Sequence, residues 1–138
     1  MRHPPTYGHD VGDQLLRIVG ARLSGAMRGD DLVGRVRGDE FACIVAGSPA
    51  RDQLRQIACN VFEKIASPQK LEGLQISVRL SIGISIYPHD GANADALFRN
   101  ADCAMYRSKR ERSVYAFFDE SAGGRNTHSR RIDFSVLQ

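Results

Sequence analysis

The chain has 138 residues, a length typical of one domain, and its 42% hydrophobic and 25% charged residues argue against wholesale disorder. It contains no apolar run of the ~20 residues that a membrane span needs, and its start leads into no apolar signal core. We therefore expect a cytoplasmic protein with no membrane segment. The net charge of +3 is compatible with a phosphate-bearing ligand but is too small to indicate a nucleic-acid partner.

The first half of the chain predicts a helix and a β-hairpin. Apolar residues recur at three- and four-residue steps from about residue 12 to Met27, as in an amphipathic helix, with Asp13 near its start. Two β-prone runs, 32–36 and 41–45, follow, and a glycine with two acidic residues separates them. This arrangement is typical of a hairpin.

The middle of the chain predicts a second helix and a long strand. The helix has an apolar stripe over residues 54–65, begins near Pro49 with Ser48 as its cap, and stops before Pro68. From Leu74 to Ile86 every second residue is apolar, which predicts a strand with one buried face.

The last part predicts a third helix over residues 94–110 and a strand over 114–118. Residues 129–138 are expected to begin another helix. The order of helix, hairpin, helix, strand, helix and strand indicates an α+β domain.

The three cysteines, Cys43, Cys59 and Cys103, have no zinc-knuckle or redox-pair spacing. We expect reduced thiols whose role is core packing.

The segment RVRGDEF at residues 35–41 carries the strongest chemical signal. Asp39 and Glu40 are adjacent carboxylates at a hairpin tip, and a cation relieves their repulsion. Mg²⁺ binds through one or two carboxylates plus substrate phosphates, and Gly38 lets a ligand approach the backbone. The alternative from these residues alone is an ordinary solvated turn, since Gly and Asp are common there.

Further segments place this hairpin in a family context. Residues 7–16 (YGHDVGDQLL) resemble the Gly-His-x-x-Gly-Asp-x-x-Leu segment of the GGDEF family, the diguanylate cyclases. Residues 81–84 (SIGI) resemble its Ser-Ile-Gly strand, and residues 101–109 (ADCAMYRSK) resemble its Ala-Asp-x-Ala-Leu-Tyr-x-Ala-Lys helix. Together these segments make residues 1–118 similar to a GGDEF domain.

The resemblance implies an antiparallel-rich cyclase-palm sheet packed with helices. It also implies a reaction in which two GTP-loaded domains, meeting as a homodimer, form cyclic di-GMP with Mg²⁺ or Mn²⁺. By resemblance, Asp39 and Glu40 are the catalytic and metal-binding carboxylates. Asp13, Gly38 and Lys109 are substrate-binding residues, Asp13 at the guanine edge and Lys109 at the phosphates.

A second site follows from the same resemblance. Arg28 and Asp31 form Arg-x-x-Asp shortly before the hairpin, which is the family's inhibitory site for cyclic di-GMP. Arg35 is expected to help hold this site.

The sequence departs from the family pattern in three places. Arg37 stands where the family has its first glycine, and residues 112–114 (RSV) replace a Gly-Arg-Asn segment, although Arg110 or Arg112 offers a substitute for that arginine. The family's first helix and its central strand, which carries a further metal ligand, are missing. An open sheet is therefore expected, with association through its unpaired edges.

Residues 119–138 are interpreted as a linker or the start of a connector to a following domain, such as an EAL phosphodiesterase or a sensory domain. Two hypotheses remain: an active diguanylate cyclase, or a catalytically inactive GTP- or cyclic di-GMP-binding module that regulates an attached domain.

Overall fold

The computed structural model describes the backbone of residues 5–47, 49–71, 73–121 and 133–137, and the side chains of 12–36, 38–47, 49–71 and 73–119. The helices are α1 (Pro5–Ala26), α2 (Arg51–Ala66), α3 (Ala94–Glu111) and α4 (Phe118–Ser121). The strands are β1 (Leu32–Arg37), β2 (Glu40–Val45), β3 (Gln69–Leu71), β4 (Leu74–Ile76), β5 (Ile82–Ile86), β6 (Tyr115–Phe117) and β7 (Asp133–Leu137). The predicted cap Ser48 and the side chain of Arg37 lie outside the described residues.

The main sheet has the order β1-β2-β7-β5-β6. The predicted hairpin is present as β1 and β2, β7 runs antiparallel to both β2 and β5, and β5 pairs with β6 in parallel. Strands β3 and β4 form a separate antiparallel pair. The predicted α+β class and the antiparallel-rich sheet are confirmed.

The centre of the sheet differs from two expectations. Residues 133–137, expected to belong to a helix, form β7 instead, so the helix prediction is wrong there. This strand pairs with β2 from Val45 to Phe41 and with β5 from Ile86 to Ile82. Both facing edges are thereby paired, because their N–H and C=O groups need partners. The expected open gap between these strands is absent.

The long alternating run from Leu74 to Ile86 is divided in the structure. Its first part, β4, is mostly exposed and pairs with β3, residues 77–81 belong to no strand, and only β5 joins the main sheet. Every residue of β5 is buried, so the prediction of one buried face is wrong for this strand. The reason is that α3 covers one face of β5 and its other face lies in the main apolar core.

Two helices start at different places from those predicted. Helix α1 extends back to Pro5, which suits the first helical turn because proline lacks an N–H group to pair. Helix α2 begins at Arg51, and the side chain of Gln53 accepts a hydrogen bond from the backbone N–H of Ala50 at 2.8 Å. In the part of the chain that the structure describes, no helix is long and apolar enough to cross a membrane.

The core is formed by β2, β5, α2 and Phe117, with Leu23 and its neighbours on α1 closing one side. Cys43 is buried in this core, whereas Cys59 and Cys103 are exposed. The expectation that all three cysteines pack in the core is therefore wrong for the last two, which are exposed on α2 and α3.

Candidate functional site

The tip of the β1–β2 hairpin has a backbone that favours glycine. Gly38 has φ +49, and a Cβ there meets no atom within 4 Å, so backbone conformation rather than space selects this residue. Arg35 donates a hydrogen bond from Nε to the carbonyl oxygen of Gly38 at 2.7 Å. Arg35 is thus engaged at the hairpin tip. Its expected role beside Arg28 and Asp31 stays a prediction.

The two acidic residues after Gly38 occupy opposite environments. Asp39 is exposed, whereas Glu40 opens β2 and is only 4% exposed. Successive residues at a strand start point to opposite faces, which separates the two carboxylates. Asp39 alone is therefore presented to a ligand.

Asp39 lines two adjoining cavities. The larger, of about 540 Å³, is also lined by Arg79, Lys109 and Arg112 and by small and apolar residues between them. The smaller, of about 140 Å³, shares Asp39, Arg79 and Leu80 with the larger one. Its other lining residues are all apolar: Leu15, Leu16, Val19, Phe41, Ile65 and Val78. A charged compartment therefore adjoins an apolar one, as suits a ligand with a phosphate chain and a flat ring.

The larger cavity has an excess of positive charge. No side chain among Arg79, Lys109 and Arg112 makes a hydrogen bond or ion pair with any described residue, and Asp39 is the one acidic residue in the described lining. Clustered cations repel one another, and a bound anion relieves that repulsion. The cavity is thus suited to a polyanion.

The structure brings together some of the sequence-predicted residues and not others. Asp39 and Lys109 share a cavity with Arg112, one of the two arginines considered as substitutes at the end of the third helix. Asp13 is exposed on α1 and lines neither cavity, and neither does Glu40. Gly38 shapes the turn beside Asp39 without lining a cavity.

Arg79 is the site residue that sequence reasoning missed. It lies in the run from Leu74 to Ile86, where the alternation of apolar residues predicts a polar residue on the solvent face of a strand. The signal available was a long cation two residues before the SIGI segment, but its approach to Lys109 depends on how α3 packs on β5.

The acidic, histidine and cysteine side chains near these cavities are the candidate ligands of a divalent metal ion. Within the described residues, no cluster of three or more His, Cys, Asp or Glu side chains is placed to hold a metal ion. Mg²⁺ keeps several water ligands and binds through one or two carboxylates together with substrate phosphates. Asp39 lies beside a cavity suited to phosphates. It is therefore suited to bind a metal ion jointly with the substrate phosphates, and not as part of a site made of protein ligands alone.

Arg28 and Asp31 line a separate cleft of about 590 Å³, which lies between the end of α1 and α2. Asp31 is 1% exposed and accepts hydrogen bonds from the backbone N–H of Arg28 at 3.0 Å and of Ala46 at 2.9 Å. Arg28 is 59% exposed, with Nε 3.7 Å from the Asp31 carboxylate. The aspartate therefore holds the turn, and the arginine is the partner available to a ligand.

Comparisons with known proteins agree with this fold. The family described as "Diguanylate cyclase, GGDEF domain" matches residues 4–114. The cyclic di-GMP phosphodiesterase NbdA of Pseudomonas aeruginosa is 37% identical over 102 residues, which cover 74% of this chain and 13% of that protein. The diguanylate cyclase TpbB of the same species is 38% identical over 105 residues, covering 75% of this chain and 24% of that protein.

A solved structure of a GGDEF-containing protein has a similar fold. The EAL/GGDEF domain protein from M. capsulatus superposes with a TM-score of 0.76 at 36% identity, covering 83% of this chain and 74% of that one. The chain thus belongs to the GGDEF family of cyclic di-GMP signalling domains. It spans 13–17% of the length of curated relatives such as NbdA.

Proposed function

We propose that this chain is a nucleotide-binding GGDEF domain that takes GTP and, as a head-to-head pair, condenses two GTP molecules into cyclic di-GMP. The observation that carries the proposal is the apolar cavity joined at Asp39 to a cavity lined by three cations. The base occupies the apolar compartment, and the phosphate chain occupies the charged one.

The chemistry is phosphoryl transfer on each GTP. The 3′-oxygen of one GTP forms a bond to the α-phosphorus of the other, the bond to pyrophosphate breaks, and the 3′-hydroxyl proton leaves to solvent. Asp39, together with the substrate phosphates, would hold Mg²⁺ or Mn²⁺, and the ion would supply charge neutralisation there. Lys109 and Arg112 hold the phosphates in place, since positioning and charge neutralisation account for most of the catalysis in such reactions.

The inactive binding module is a second candidate, and one observation favours it. Asp39 is the one acidic side chain presented to the cavities by the described residues, and no three-ligand metal cluster occurs among them. On this alternative the domain binds GTP, or binds cyclic di-GMP at the Arg28 cleft, and regulates an attached EAL-type or sensory domain without turnover. The EAL/GGDEF architecture named for the M. capsulatus relative supports that partner.

The test is turnover together with binding. We expect monodisperse protein with GTP and Mg²⁺ to form cyclic di-GMP, separated by chromatography, and we expect Asp39→Ala to abolish the product. Asp95→Asn is the control, because Asp95 is exposed at the start of α3 and lines neither cavity. GTP binding without product identifies the inactive module. Absence of GTP binding by folded protein contradicts the cyclase, and absence of both GTP and cyclic di-GMP binding contradicts the binding module as well.

A further inference from the structure

Arg79 reaches the charged cavity from a different element than the other two cations. It belongs to residues 77–81, the irregular segment that enters β5, whereas Lys109 and Arg112 lie at the C-terminal end of α3. The three side chains line the same cavity from two elements. A chain of phosphates in this cavity therefore meets positive charge supplied by both elements.

The C-terminal end of α3 weakens the attraction of its own cations for an anion. The last carbonyl groups of a helix carry partial negative charge, which disfavours an anion. Lys109 and Arg112 are placed at that end, so part of their charge offsets the helix dipole. Arg79 lies on a different element and adds positive charge that no helix end opposes.

Arg79 also differs from the other cations in its position. It lines the apolar cavity as well as the charged one, as Asp39 does. A guanidinium at the junction of base and phosphate compartments reaches the phosphates of a nucleotide that occupies both. Its planar fork donates paired hydrogen bonds to phosphate oxygens, which an ammonium group does not match.

We infer that Arg79 is a polyphosphate-binding residue of this site, which contacts the nucleotide phosphates from a different element than Lys109 and Arg112 and favours triphosphate over monophosphate. This inference rests on the proposed GTP site. It adds to that site a residue that the family resemblance does not supply.

The experiment is calorimetric titration of the full chain with GTP and with GMP in the presence of Mg²⁺. Charge-assisted hydrogen bonds imply that Arg79→Gln weakens GTP binding about tenfold to a hundredfold. GMP binding changes much less, and Arg79→Lys retains part of the GTP affinity. Arg99→Gln is the matched control, because Arg99 is an exposed arginine of α3 that lines neither cavity.

The outcomes separate this inference from the proposed function. If Lys109→Gln weakens GTP binding and Arg79→Gln does not, the role of Arg79 is refuted while the GTP site stands. An equal loss for GTP and GMP in Arg79→Gln also refutes a phosphate-specific role. If the unaltered chain binds no GTP, the proposed function fails. Thermal melting followed by circular dichroism establishes whether the variants are folded. If Arg79→Gln is unfolded, the GTP affinity of Arg79→Lys supplies the test instead.

Discussion

At the scale of single residues, the environment decides what each acidic or sulfhydryl group does. Asp39 and Glu40 are neighbours in sequence, yet one faces a cavity and the other is buried at the start of β2. Asp31 is a further example, because its carboxylate is engaged by two backbone N–H groups. Residue type alone therefore does not separate a ligand-binding carboxylate from a structural one.

The thiols are expected to differ sharply in reactivity. Burial, with a smaller contribution from the Asp31 carboxylate, raises the pKa of Cys43 to about 12, so its reactive thiolate is scarce at neutral pH. Cys59 and Cys103 are exposed. At pH 8, Ellman's reagent should react quickly with these two thiols and reach Cys43 only on unfolding. Rapid reaction of all three in folded protein would contradict this.

Substitution of Asp31 should cost stability rather than only ligand affinity. Asp31→Ala leaves two backbone N–H groups without their acceptor, which we expect to lower the free energy of unfolding by about 1–3 kcal/mol. Arg28→Ala removes an exposed partner and should cost less than about 1 kcal/mol. Urea denaturation measures both. Arg28 is therefore the informative position for testing cyclic di-GMP binding, and equal destabilisation by the two variants would argue against this assignment.

At the scale of elements, the contact between β5 and α3 brings the site residues together. Gly83 lets the helix approach, because a Cβ there would lie 2.1 Å from the carbonyl oxygen of Ala101 and 2.4 Å from the backbone nitrogen of Met105. These are backbone atoms that cannot rotate away. The close approach places the end of α3, with Lys109, near the segment that carries Arg79.

Gly83→Ala should therefore be severely destabilising. We expect a loss of at least ~3 kcal/mol, because strand and helix must separate to admit the methyl group. Gly34→Ala is the matched control: Gly34 lies on the edge strand β1, and a Cβ there meets nothing within 4 Å. Thermal denaturation compares the two. A Gly83→Ala variant as stable as Gly34→Ala would show that the packing is looser than the structure indicates.

At the scale of the whole molecule, β7 joins two halves of the sheet. On one side lie β1 and β2, and on the other β5 and β6. Leu137 pairs with both Phe41 and Ile82, close in sequence to Asp39 and Arg79. The spacing between Asp39 and Arg79, two of the three residues shared by both cavities, is therefore set across β7.

Disruption of β7 should affect stability, association and binding together. Ser135→Pro removes a backbone donor from a strand that pairs with Cys43 and Ile84, and proline is poorly tolerated within a sheet. We expect a loss of about 3 kcal/mol or more, self-association through the released edges, and weaker GTP binding. Light scattering, melting and calorimetry measure these effects. Ser135→Ala, which keeps the backbone donor, is the control, and a stable monomeric Ser135→Pro variant would contradict the role of β7.

Local sequence patterns are sufficient to predict the β1–β2 hairpin, the middle of each long helix and the family. The hairpin follows from two β-prone runs around a glycine and two acidic residues. The helices follow from the periodicity of apolar residues, because side-chain spacing reports directly on a neighbouring core. The segments around Asp39 and Lys109 indicated the GGDEF family before any geometry was known. Helix starts were less certain, since α1 extends past its apolar stripe to Pro5.

Only the tertiary structure decided which distant segments meet. Phe134 and Val136 are separated by a polar residue, as in a strand. So short an alternation does not reveal that β2 and β5 are the pairing partners of β7. The uniform pattern from Leu74 to Ile86 likewise gave no sign of its division, because alternation reports one buried face and not which sheet the strand joins. The meeting of Arg79 and Lys109 at one cavity depends on the packing of α3 against β5, a long-range contact that local sequence does not encode.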